Sequence, residues 1–198
     1  AIGTLRQTKL KRFVAYSGIV HVGFMLLCLC SIESAYAMQA FFFYVLIYLV
    51  TTVGFFGIVT SMRPLIDRSY RSMYFIEFSN LAQKNLLFSV SGMIFIASMA
   101  GIPPLSGFFA KFYVLLATVD SKNYLLGMVA LILSVLTMFY YLRIIRIMWF
   151  DASLSHWISY KPPERYCALL ISFSVFVIVA YFFEPAILTE LFFILFNA

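Results

Sequence analysis

The chain has 198 residues, 64% of them hydrophobic and 11% charged, with a mean hydropathy of +0.98. Soluble domains carry about 25% charged residues, so this composition excludes a soluble domain and reads as an integral membrane protein. The net charge of +6 does not point to nucleic acid, because the basic residues collect between apolar runs, where membrane-flanking charges belong.

The chain opens with Ala1-Ile2-Gly3, without an initiator Met, a cleavable signal or a transit peptide. It reads as beginning in the middle of something, either a fragment or a separately encoded half. Arg6, Lys9, Lys11 and Arg12 precede an uncharged run from Phe13 to Ile32, closed by Glu33. That is about the 20 residues a bilayer span requires. His21 lies inside it, with Ser17 one turn earlier. Two readings stay open: a proton-relay member, or a neutral imidazole bonded to a neighbouring helix. Cys28 and Cys30 share this run, and with Cys167 they make neither a disulfide framework nor a metal cluster, so they are expected to pack.

A second run, Ser34 to Met62, is long enough to span with tilt, and Gly54 and Gly57 suit close helix approach. A polar connector follows, marked by Arg63, Asp67, Arg68, Arg71, Glu77 and Lys84. Within it, Met73 to Leu81 reads as a short interfacial helix.

From Asn85 to Val119 a single charge, Lys111, interrupts an otherwise apolar stretch. Upstream of it lies Gly101-Ile102-Pro103-Pro104-Leu105-Ser106-Gly107. Two prolines remove two backbone donors, and Pro103 pushes Ile102 away from helical dihedrals. Gly101 and Gly107 permit an unusual turn or a close backbone approach. Non-helical backbone at membrane depth is tolerated only where protein or a water-filled cavity satisfies it, so a lysine just beyond the break marks a functional site. Burial brings the charged and neutral forms of an amine closer in free energy, which lets it give and take protons. The competing reading is an ordinary loop with Lys111 snorkelling to an interface, which requires a position near a helix end.

A further run, Asn123 to Leu142, passes into Arg143, Arg146 and Trp149, with Tyr140 and Tyr141 beside them, and reads as an interfacial anchor. Ser153 to Arg165 is a polar loop containing His156, and the last span, Tyr166 to Phe183, leads to Glu184-Pro185 and an apolar tail. The expectation is an all-α polytopic transmembrane bundle of about six spans, one domain over residues 1–198, with a discontinuous helix near Gly101–Gly107. The sequence holds no nucleophile–base pair, no phosphate-cradling glycine loop and no dinucleotide fingerprint.

Gln7-Thr8-Lys9-Leu10-Lys11-Arg12-Phe13-Val14-Ala15-Tyr16-Ser17-Gly18-Ile19-Val20-His21-Val22-Gly23 resembles a stretch shared by the antiporter-like subunits of respiratory complex I and by Mrp-type antiporters. Ser98-Met99-Ala100-Gly101-Ile102-Pro103-Pro104-Leu105-Ser106-Gly107-Phe108-Phe109-Ala110-Lys111-Phe112-Tyr113 is similar to their second discontinuous helix. A lysine followed by Phe-Tyr and preceded by Pro-Pro is the pattern of the chain 2 type of NADH:ubiquinone oxidoreductase. Gly18 stands where the family usually has Ser.

The resemblance implies the second five-helix inverted repeat plus the final helix, with the first repeat absent from these residues. It implies a proton-translocating subunit of a redox-driven enzyme, with Lys111 as the buried proton relay and His21 as a possible helper. It implies no cofactor in this chain, since NADH, FMN, iron-sulfur clusters and ubiquinone belong to other subunits. Expected partners are other membrane-arm subunits, including a separate chain with the first repeat if the gene is split, and lipids, but no nucleic acid. The expected location is the mitochondrial inner membrane, or the plasma membrane of a bacterium. The alternatives are an Mrp-type cation/proton antiporter or hydrogenase-associated subunit, and a structural module without transport.

Overall fold

The structure is a computed structural model that describes residues 1–34, 36–61, 75–79, 81–151 and 164–183. These form α1 (Ile2–Leu5), α2 (Leu10–Cys30), α3 (Ala37–Ser61), a 3₁₀ turn (Phe75–Phe78), α4 (Leu81–Lys84), α5 (Leu86–Ala100), α6 (Ser106–Asp120), α7 (Tyr124–Trp149) and α8 (Arg165–Phe183). By length and composition α2, α3 and α7 can each cross a bilayer. At 1.5 Å per residue α3 and α7 are about 38 Å long, whereas α5 and α6 reach only about 22 Å each, short of a 30 Å hydrocarbon core.

The two short helices lie end to end. Progressing along α7, Gly127 meets Thr118, Thr137 meets Lys111, Tyr141 meets Met99 and Gly92 lies against Met148. Partners on the α5–α6 side thus retreat steadily as α7 advances, which an antiparallel pair requires and a hairpin of α5 on α6 forbids. The six apolar runs of the sequence resolve among the described residues into five courses, because the third and fourth share one interrupted path.

Each end of the interruption has a local cause. Asn85 caps α5 by accepting from the Phe88 amide at 3.2 Å. The helix stops at Gly101, whose φ of +82° supports bonds from the Gly101 amide to the Ser98 carbonyl (3.0 Å) and from the Ile102 amide to the Ala97 carbonyl (3.0 Å). That pairing is a Schellman termination, and it favours glycine at the left-handed residue. The Pro103–Pro104 bond is cis. The α6 N-terminus has no side-chain cap of its own, but the Gly107 amide donates across the break to Ser98 Oγ at 3.2 Å.

Two apolar clusters form the core. One joins Leu10 and Phe13 to Phe55, Ile58, Phe95 and Tyr140. The other joins Phe24 and Cys28 to Phe43, Ile47, Ala110 and Val114. On α2, α3 and α7 the buried polar residues His21, Thr51 and Thr137 fall between the positions that feed the two clusters. The break between α5 and α6 falls at the same level. The bundle therefore carries a polar layer at mid-depth, closed by apolar contacts above and below.

Small residues let the helices approach. A Cβ on Gly54 would run into the Phe95 ring and Ser174, and one on Gly57 would lie 3.0 Å from Ile171. Of the expected interfacial helix at Met73–Leu81, the described part takes a different form. Phe75–Phe78 is a 3₁₀ turn whose Phe75 and Phe78 face inward; Phe75 sits edge-on to Phe13 at 5.3 Å, and its amide donates to the Thr8 carbonyl. The aromatics there found a core cluster within reach, which outweighs an interfacial position. Met73, Tyr74, His156 and the tail beyond Phe183 lie outside the described residues.

Candidate functional site

Lys111 lies in the second turn of α6 and is 6% exposed. Its Nζ donates to the Ala100 carbonyl at 2.9 Å and to Thr137 Oγ1 at 3.0 Å, and stands 5.6 Å from the centre of the Phe24 ring. The Ala100 carbonyl is available because α5 ends there: it belongs to the last turn, whose acceptors have no partner within the helix. The Gly-Pro-Pro interruption and the lysine are thus one device, in which the break exposes a carbonyl and the next half-helix supplies the amine that takes it. Snorkelling does not occur; the side chain folds back over Gly101, where a Cβ would meet Lys111 Cδ at 3.0 Å.

Among the described residues no ion pair within 4 Å joins Lys111 to a carboxylate, and the contact of Arg146 with Asp151 is exposed. Lys111 therefore has no carboxylate beside it there. A buried ammonium held only by neutral acceptors and an aromatic face is not locked in its charged form, as a buried ion pair would lock it.

His21 is buried in α2 and bonded at both ring nitrogens, Nδ1 to the Tyr44 hydroxyl and Nε2 to the Tyr141 hydroxyl, each at 2.9 Å. One nitrogen of a neutral imidazole donates and the other accepts, so the two tyrosines complete a hydrogen-bonded line from α3 through α2 to α7. The Tyr48 ring lies over the imidazole at 4.8 Å. Gly18 makes room for it, since a Cβ there would come within 3.1 Å of the Tyr48 hydroxyl. The departure from the usual Ser at this position therefore bears on the surroundings of His21.

The ring is bonded to two neighbouring helices, as one reading of His21 expects, and it shares a cavity wall with Lys111. His21 and Lys111 line one cavity of about 10 Å³, with Tyr44, Tyr48, Ser98 and Gly107 among its other walls. A water molecule needs about 10–15 Å³ and two to four polar partners, so the space and its lining suit one water beside the amine, within the wall that Tyr44, Tyr48 and Ser98 share with His21.

Sequence reasoning missed Thr137, Tyr44 and Tyr141. Tyr140 and Tyr141 were read with Arg143 and Arg146 as an interfacial anchor, yet both are at most 2% exposed. The arginines do remain exposed, Arg143 donating to the Leu5 carbonyl at 3.2 Å. The signal was the stripe Thr137, Tyr140, Tyr141, Ile144, Met148, whose i, i+3, i+4, i+7 spacing runs along one buried helix face. The three cysteines are free, and among the described residues no group of His, Cys, Asp and Glu could hold a metal ion.

An all-helical bundle with an interrupted helix and a buried lysine at the break defines the class of membrane proteins built on discontinuous helices. Residues 1–137 match the family model of the NADH:quinone oxidoreductase/Mrp antiporter transmembrane region, and the chain belongs to that family. It is 36% identical to NADH-ubiquinone oxidoreductase chain 2 of Marchantia polymorpha over 94% of its own length and 37% of that protein. It is 35% identical to NADH-quinone oxidoreductase subunit N of Pelagibacter ubique, covering 96% of this chain and 39% of that one. The fold overlays on respiratory complex I of Thermus thermophilus with a TM-score of 0.82 at 23% identity, over 96% of this chain and 41% of its counterpart. The Mrp complex of a Dietzia species gives a TM-score of 0.77 at 21% identity, over 96% of this chain and 43% of its counterpart. The chain thus spans about two fifths of the length of the relatives it matches.

Proposed function

We propose that this chain is part of a proton-translocating membrane-arm subunit of respiratory complex I, of the chain 2 type. One observation carries the reading: a buried lysine, with no carboxylate beside it among the described residues, faces a water-sized cavity shared with a histidine. The names of the curated relatives and the length they share with this chain support it. In this reading the Lys111 ammonium releases a proton toward the cavity, and the neutral amine accepts the next one. His21 relays that proton along its hydrogen-bonded line: one ring nitrogen takes a proton from the Tyr44 hydroxyl, which regains one from the cavity, while the other nitrogen releases its proton to the Tyr141 hydroxyl. Electron transfer from NADH to ubiquinone, with its flavin and iron-sulfur groups, occurs in other subunits and biases Lys111 through changes in local charge.

On this proposal residues 1–198 are one domain, equivalent to the second five-helix repeat plus the final helix. The first repeat lies in a partner chain or elsewhere in the same polypeptide. Other membrane-arm subunits and lipids surround it, in a mitochondrial inner membrane or, on the alternative, a bacterial plasma membrane.

The test is Lys111→Met in the assembled complex, following proton uptake into sealed vesicles during NADH oxidation. The expected result is loss of most pumping by this subunit with assembly retained. Unchanged coupled pumping would remove Lys111 from the mechanism and favour a structural module. The family description also names Mrp antiporters, and that fold overlays well, which favours cation/proton exchange as the second reading. Sodium-driven proton exchange that persists without NADH would select it.

A further inference from the structure

The amine of Lys111 is held from two sides, and the character of one partner decides what the third side does. Thr137 is 1% exposed, and its hydroxyl donates its single proton to the Ser134 carbonyl in its own helix at 2.6 Å. With that proton committed, Thr137 Oγ1 meets Lys111 Nζ only as an acceptor. The Ala100 carbonyl, the other partner, is an acceptor by nature. Two of the three N–H directions of an ammonium are therefore engaged with groups that need a hydrogen there.

We propose that Thr137 is a positioning residue for Lys111: held as an acceptor by Ser134, it keeps two N–H bonds in place and leaves the third, the one that exchanges, turned into the cavity shared with His21. Charged, Lys111 presents an N–H to that cavity; neutral, it presents its lone pair in the same direction. In each transfer one N–H bond at Nζ breaks or forms, and the proton goes to or comes from the cavity water. The groups that face Lys111 across the cavity are His21 from α2 and Tyr44 and Tyr48 from α3, while α7 contributes Thr137 and α5 the Ala100 carbonyl. Without Thr137 Oγ1, the amine is free to turn and its lone pair has no fixed aim.

This inference rests on the proton-relay reading of Lys111, and the experiment separates the two. Thr137→Val keeps the shape and removes the acceptor; Thr137→Ser keeps the hydroxyl; Lys111→Met removes the relay itself. Proton uptake per NADH oxidised is measured across a range of pH in the assembled complex. Thr137→Val is expected to lower uptake through this subunit by about tenfold, on the scale of one lost hydrogen bond to a charged group, and to displace the pH profile. Thr137→Ser is expected to restore both. A Thr137→Val profile that overlays the parent while Lys111→Met abolishes pumping overturns the positioning role and leaves the relay standing. Equal impairment in the Val and Ser variants also overturns it, because the hydroxyl would then be irrelevant. Pumping that survives Lys111→Met removes the underlying reading. If the Val variant fails to assemble, Thr137→Ala is measured against Thr137→Ser by the same criteria.

Discussion

His21 sits between two hydroxyls, and the two make unequal demands on the fold. Tyr44 comes from α3, next to α2 in sequence, whereas Tyr141 arrives 120 residues later on α7. Removing the Tyr141 hydroxyl leaves a buried ring nitrogen without its partner, at a cost of about 1–2 kcal/mol. Thermal unfolding in detergent should register that loss for Tyr141→Phe. Tyr16→Phe, at a site 45% exposed, should change stability by less than about 0.5 kcal/mol. Equal stability of the two variants would mean that the tyrosine does not hold the imidazole.

At the scale of elements, the interruption between α5 and α6 depends on glycine at two positions for different reasons. Gly101 is needed for its left-handed φ, which turns the chain and exposes the Ala100 carbonyl. Gly107 is needed for space, because a Cβ there would collide with the Ser98 carbonyl. That neighbour is backbone and cannot rotate away. Gly107→Ala should therefore push the half-helices apart and destabilise the bundle by more than about 3 kcal/mol, enough to prevent assembly. Gly23 on α2 has nothing within 4 Å of an added Cβ, so Gly23→Ala should assemble normally. Assembly yield on native gels compares the pair directly, and a tolerated Gly107→Ala would show that the half-helices need not touch.

For the whole molecule, the arrangement of polar and apolar layers sets the permeability. The cavity between Lys111 and His21 has room for about one water, and the two apolar clusters lie to either side of its level along α2, α3 and α7. A continuous path for protons would need more water than that. The chain reconstituted alone into liposomes should leave them as proton-tight as protein-free vesicles, as followed by a pH-sensitive dye inside. Fast dissipation of an imposed pH gradient would mean that the layer is open in the resting state.

Hydropathy alone placed this chain in a membrane, since α2, α3 and α7 each contain an apolar window long enough to cross a bilayer. The two glycines, the two prolines and Lys111 marked the interruption and the site, because each disobeys the rule its surroundings follow. The resemblance implied that the third and fourth runs form one discontinuous helix; how both halves align with α7 is decided only by the tertiary structure. Thr137, Tyr44 and Tyr141 were equally illegible. A threonine or tyrosine in a membrane helix is locally ordinary, and its role is decided by what stands opposite. For His21 the sequence left open a relay member or an imidazole bonded to a neighbouring helix. That it faces Lys111 follows from α2 and α6 meeting at the same depth, a long-range contact that only the tertiary structure decides.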